Sequence, residues 1–161
     1  MAKLSVNSIQ LERKLKHLMS RGLKVDLSKQ INESAGIIVK DIKEGVAVGQ
    51  DIHEKRFKPL KRATVLSKQR KGMPFPANPL IGTSAMTGAL SGDGGAYLKK
   101  RATPNNQLAQ VSAPMKKAPY GVFHMEGNDN LPQRKWFGVS RTAEKLIMKN
   151  MNKWLGRLLR G

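Results

Sequence analysis

Apolar residues recur with helical spacing towards both ends of this chain and lose any period in its middle. Leu27, Ile31, Ile38, Val39 and Ile42 follow at intervals of four, seven, one and three, with Ala35 in the long gap. At about 3.6 residues per turn they share one face, which predicts an amphipathic helix whose start Asp26 or Ser28 caps. Gly45 and Gly49 flank Val46-Ala47-Val48 and are expected to break or bend that helix, with a short strand as the other reading of the β-branched run. Upstream, Ile9, Leu11, Leu15, Leu18 and Met19 mark a looser stripe on a helix predicted from Asn7 to Ser20 and ended by Arg21-Gly22. Near the other end Leu146, Ile147, Met151, Trp154, Leu155 and Leu158 predict a last helix, Arg141 to Leu159, capped by Ser140 or Thr142.

The middle reads differently. Pro59 is expected in the first turn of a helix within Phe57 to Gly72, where its missing N–H does no harm. Met73 to Gly95 holds three prolines and five glycines and follows neither period. It reads as a long loop or arm, residues 73–95, laid on a neighbour through the apolar anchors Phe75, Leu80, Ile81, Met86 and Leu90. Ala96-Tyr97-Leu98 and Leu108 to Val111 flank the turn-rich Thr103-Pro104-Asn105-Asn106 as a predicted hairpin. Tyr120 to Met125 reads as a third short strand and Asn128 to Asn130 as a loop. The expected fold is therefore α+β, with N-terminal helices, a short antiparallel β-sheet with a long loop or arm, and a C-terminal helix, in one domain over residues 1–161.

Charge changes the picture more than any motif so far. There are 30 Lys and Arg against 11 Asp and Glu in 161 residues, a net charge of +19. A surface this basic repels itself and calls for a polyanion or an acidic protein partner. Hydrophobic residues make up 39%, below the ~45–50% of ordinary domains, which suggests that part of the chain packs only in an assembly. The absence of cysteine excludes disulfides and thiolate metal sites and points to a reducing cytoplasm. No apolar run reaches ~18 residues, so no membrane span is expected. The N-terminal residues lack the apolar stretch of a signal peptide.

Candidate chemistry is sparse. His17, His53 and His124 are the only imidazoles. In a strand His124 and Glu126 would share a face, but a metal site needs three or four ligands. Asp41 and Glu44, beside Lys40 and Lys43, fit a salt-bridged helix face. Gly92 to Gly95 is not followed by the Lys and Ser or Thr of a phosphate-binding loop, and no serine sits in a nucleophile elbow. No enzyme activity, metal or cofactor is expected. The basic residues, by contrast, cluster. Arg56, Lys58, Lys61, Arg62, Lys68, Arg70 and Lys71 form the densest run, followed by Lys99-Lys100-Arg101 and Lys116-Lys117. No helix-turn-helix, zinc-finger or RNA-recognition motif accompanies them, so readout of base sequence is not expected. Phosphate backbones and acidic protein surfaces both fit. A non-sequence-specific nucleic-acid-binding protein is thus the alternative to a structural subunit.

One segment carries a resemblance. Tyr120-Gly121-x-Phe123-His124-x-x-Gly127 is followed, after a short loop, by Pro132-Gln133-Arg134-x-Trp136-Phe137-Gly138-x-Ser140. Phe57-x-Pro59-Leu60, then Pro79-Leu80 and Thr87-Gly88-x-Leu90, precede it in order. Together these resemble the phage virion morphogenesis, or tail completion, family, over about half the chain. Met125 and Phe137 depart from that family's usual Gln and Leu. The resemblance implies a non-catalytic subunit of a six-fold ring at the head–tail junction of a tailed bacteriophage, assembled in the host cytoplasm. Its partners would be copies of itself, neighbouring neck and tail proteins, and the genomic DNA passing through the channel. The matched residues would then serve packing or interfaces. Physically, Pro132 holds the chain extended, Arg134 can reach a carboxylate bidentately, and Trp136-Phe137 can fill a core or a neighbour's pocket. Gly138 permits close approach and Ser140 caps the last helix. The basic run Arg56 to Lys71 is expected to meet an acidic adjoining ring, with Glu33, Asp41, Glu44 and Asp51 available to line the channel.

Overall fold

A computed structural model describes residues 25–81, 98–112 and 121–159, together with Arg13, Lys16 and Ser20, which are helical. The rest of the predicted Asn7 to Ser20 helix, all of residues 82–97 with Met86 and Leu90, and residues 113–120 with Lys116-Lys117 and Tyr120 lie outside the described residues.

Helix α1 (Ser28–Val48) carries the predicted stripe, burying Ala35, Ile38, Ile42 and Val46. Asp26 assists its start by accepting the Ser28 amide at 2.8 Å, a bond that holds the Asp26 carboxyl below its usual pKa. The expected break at Gly45 does not occur. Val46 extends the buried stripe by one more turn and is fully enclosed. Burying a valine stabilises by ~1.5–3 kcal/mol, more than the ~1 kcal/mol that a mid-helix glycine costs. The helix instead ends at Gly49, whose φ of 74° permits paired closing bonds, Gly49 N–H to Val46 O and Gln50 N–H to Gly45 O.

Helix α2 (Arg62–Arg70) starts later than Pro59 suggests. Phe57 is buried, its amide donates to Gly49 O at 2.8 Å, and Lys58 O accepts a bond from Arg134. These ties keep residues 57–60 extended, with Pro59 exposed and Leu60 half-buried, and the helix begins only after Lys61.

Strands β1 (Leu98–Lys100) and β2 (Gln110–Val111) form an antiparallel ladder pairing Leu98 with Val111 and Lys100 with Gln110, with an irregular register between them. The turn of the predicted hairpin closes between Thr103 and Asn106. Asn32 on α1 clasps the backbone of Ala102, donating to its carbonyl at 2.9 Å and accepting its amide at 2.8 Å. Helix α3 (Gly121–Glu126) replaces the third strand expected over Tyr120 to Met125. Helix α4 (Arg141–Leu158) buries Ala143, Ile147 and Leu155 and packs against α1. The described fold is thus mixed and helix-dominated, its sheet a single two-stranded ladder.

The core joins Ile38, Ile42 and Val46 of α1 to Phe57, Leu80, Ile81, Trp136 and Ile147. Leu80 and Ile81 are therefore anchors, but into this chain's own core and not into a neighbour. Phe75, expected to be another, is 70% exposed.

Candidate functional site

Residues 121–140, which carry most of the family-like motif, form α3 and a strap that folds back over it. The turn depends on Gly127, at φ 71°, whose N–H closes onto Phe123 O at 2.8 Å. A Cβ there would stand 2.8 Å from the Gln133 nitrogen, so no larger residue fits. Asn128 shapes the reversal, its Oδ1 accepting the amides of Asn130 (3.0 Å) and Leu131 (2.8 Å). Past half-buried Pro132 the chain returns along the carbonyls of α3. The Arg134 amide donates to His124 O at 2.6 Å and the Gln133 side-chain amide to Met125 O at 3.1 Å. This use of carbonyls by a returning strap explains why α3 is helical. An extended Tyr120–Met125 would aim alternate carbonyls away from it.

Trp136 locks the strap. It is 3% exposed, and its indole N–H donates to Gly121 O at 2.9 Å. Its ring fills the space above Gly121, where a Cβ would lie 2.8 Å from the Trp136 Cζ2 atom. Phe137 meets it edge-on at 5.6 Å and is half-buried against the core. Gly138 lets Ile52 approach to 3.1 Å of the position of a missing Cβ, and Ile52 N–H donates to Lys135 O. Ser140 is the cap of α4: its Oγ accepts the Ala143 amide at 3.0 Å and donates to Asp41 at 2.8 Å. Of the two candidate caps, Ser140 fills the position, while Thr142 donates its hydroxyl to Glu54 at 2.5 Å.

Arg134 does not meet the carboxylate its motif position suggests. It is 2% exposed, and its terminal nitrogens donate to Lys58 O (3.3 Å) and Pro132 O (3.4 Å). The same group lies 3.3 Å from His124 Nδ1, and its Nε is buried without a partner. Burial pushes the Arg134 pKa down, yet a guanidinium keeps its proton in proteins. His124, half-buried, is pushed below the ordinary imidazole value, first by burial and then by the Arg134 charge. A neutral ring presenting Nδ1 as acceptor, with its proton on Nε2, suits that neighbour. The motif pieces around Phe57–Lys58 and Pro132–Ser140 thus converge on one buried cation held by neutral acceptors. Phe123, in the same motif, points outward and is 59% exposed.

Beside the strap, Asp41, Glu44, Asp51 and Glu54 rim an open recess of about 440 Å³ between α1 and the N-terminus of α4. Each already has a structural duty. Asp41 holds Ser140, Glu54 accepts the Thr142 hydroxyl and amide, and Asp51 accepts the amides of His53 and Lys55. Glu44 pairs with Lys40 at 3.7 Å. The Thr142 bond lowers the Glu54 pKa. Carboxylates suit this place because a helix N-terminus is electropositive. Glu33, expected with three of these acids along the channel, lines a different groove with Trp154 and Lys153. Among the described residues no group of three or more His, Asp or Glu is arranged to hold a metal ion, and no helix is long and apolar enough to cross a membrane.

The basic run is placed almost wholly at the surface. Arg56, Lys58, Lys61, Arg62, Arg70 and Lys71 are exposed. Lys68 is the exception: its Nζ donates to Asn78 O at 2.6 Å and to Ile81 O, and burial pushes its pKa down. Asn78 is the structural position that reasoning from sequence missed. It binds the last carbonyls of α1, Val46 O and Ala47 O, and accepts the Leu80 amide. Its signal was an amide side chain inside Pro76-Ala77-Asn78-Pro79, where a side chain must replace missing backbone donors. Comparisons with family models, with curated proteins and with solved structures return no match.

Proposed function

We propose that this chain is a structural subunit of a ring at the head–tail junction of a tailed bacteriophage, joining tail to head connector around the DNA channel and performing no catalysis. The motif of residues 120–140 supplies the family reading, and its side chains act as scaffold: Trp136 and Arg134 inside, Ser140 at a helix cap. In this reading the chain assembles with copies of itself, six-fold as the resemblance implies, and with neck and tail proteins in the virion. The α+β architecture of that family belongs to the same reading, with the β1–β2 ladder as its sheet.

The observation that carries the proposal is the exposure of large apolar side chains. Val48, Leu108, Phe123, Leu146 and Leu159 all stand more than two-fifths exposed, and the motif residue Phe123 is among them. Such surface on a small basic chain suits burial by neighbouring subunits. Closed rings bury it through heterologous contacts between different faces of identical chains. Negative-stain microscopy and light scattering of the purified protein test this. Rings are expected, and Phe123→Asp should reduce them to smaller species with unchanged circular dichroism. A monomer at all concentrations overturns the reading.

A further inference from the structure

Helix α2 buries nothing, unlike the other described helices. From Lys55 to Lys71 the chain carries eight Lys or Arg and no Asp or Glu. A helix this polar is ordinarily stabilised by opposite charges one turn apart. Here there are none, and among the described residues no carboxylate forms an ion pair with any of these cations. The element is nevertheless held at a fixed point. Lys68 reaches into the carbonyls of Asn78 and Ile81, next to the core residue Leu80. A self-repelling helix is thus fastened by one cation and displays the others.

The display has a geometry. At about 100° per residue, Lys68 and half-buried Val65 face the body. Arg70 lies on the opposite side. Arg62 and Lys71, nine positions apart, fall on its two flanks roughly 180° from each other. Between them the outer face holds the small residues Ala63 and Ser67 together with Leu66, which is exposed. Cations on both flanks of a slim helix suit a partner with negative charge on two walls. A flat acidic protein face would engage Arg70 and leave both flanking cations at its rim.

We infer that α2 is a docking element for duplex DNA, lying along the major groove with Arg62 and Lys71 against the phosphates of its two walls. A helix about 10–12 Å across enters a groove about 12 Å wide. Phosphate contacts of this kind position a protein without reading sequence, in keeping with the absence of a base-reading motif. The inference concerns the single chain and does not require the ring. It replaces the expectation that this run meets an acidic neighbouring ring.

The test is titration of a fluorescent 20-base-pair duplex with the full chain from 50 to 200 mM salt. The pair Arg62→Gln with Lys71→Gln is compared with the control pair Lys149→Gln with Lys153→Gln, exposed on α4. Losing two phosphate contacts should flatten the log–log salt slope by about 2 and weaken binding roughly 30–100-fold at 100 mM salt. The control pair should shift affinity less than about threefold. Circular dichroism checks that both pairs fold, as substitutions on an unburied helix should. An equal loss from the control pair would mean diffuse charge and overturn the inference. So would displacement of the duplex by poly-glutamate at equal charge concentration, which would assign α2 to an acidic protein, and so would no binding at 50 mM salt.

Discussion

Trp136 and Arg134 in the strap are 3% and 2% exposed, whereas α2, which carries Arg62, Lys68 and Arg70 of the basic run, buries no residue at all. The two regions are formed for different reasons. The strap is specified by close approach: Gly121 and Gly127 exist as glycines because Trp136 and Gln133 occupy the space a side chain would need. Helix α2 has no such constraint. Its outward residues are mostly polar or charged, and a single partly buried ammonium, Lys68, connects it to the carbonyls beside the core. A motif can therefore be structural where it looks chemical, and a plain lysine run can be the more telling surface.

The largest expected effect tests the buried side of this contrast. Trp136→Ala removes a ring from the core cluster together with the indole bond to Gly121 O. A loss of about 3–5 kcal/mol in denaturant unfolding is expected. A loss below ~1 kcal/mol would mean that the strap is not a determinant of stability.

Ser140→Ala should follow at about 1–2 kcal/mol. It removes an acceptor for the Ala143 amide and leaves Asp41 facing that helix end without its hydroxyl donor. Replacement by Thr should recover most of the loss, since it restores both bonds. Failure of Thr to do so would point to steric crowding at the buried Ser140 site instead of capping.

Much of the strap's content was legible in the sequence, but its shape was not. The stripe of α1 follows from local spacing, whereas side-chain chemistry narrows the cap to Ser140 or Thr142 and assigns Trp136 to a core or a neighbour's pocket. Tyr120 to Met125 misled because six residues are too few to separate a period of two from one of 3.6. The partner of Gly121 is Trp136, fifteen positions on. Gly45 misled in the opposite way, since the burial of Val46 overrides a local breaker. The acceptors around Arg134 come from Lys58, Pro132 and His124, and nothing local announces a convergence spanning 76 positions. The charge of α2 was fully legible, because counting suffices. That it stands off the body on Lys68 was not.

A smaller effect concerns pH. The folded pKa of His124 lies below the ordinary 6.5 because burial and the Arg134 charge oppose its protonation. The unfolded chain therefore takes up this proton first as pH falls. The contribution is fully present above about pH 6.5, declines as pH drops through that value, and levels off below the folded pKa. His124→Asn, which keeps an acceptor facing Arg134 and does not titrate there, should flatten the stability difference between pH 7.5 and pH 5. An unchanged slope would assign the acid sensitivity elsewhere.

The smallest expected effect completes the comparison. Arg62→Gln with Lys71→Gln should change unfolding stability by less than ~0.5 kcal/mol. Neither side chain is buried or ion-paired among the described residues. Removing two like charges from an acid-free run relieves some repulsion, so any change should be slightly stabilising at low salt and vanish at high salt. Lys68→Met on the same helix should behave otherwise, because it deprives Asn78 O and Ile81 O of a donor. Thermal melts at two salt concentrations read both. If the outer pair destabilises the chain as much as Lys68→Met does, α2 is held to the body along its length. Its cations would then be structural, and the contrast with the strap would fail.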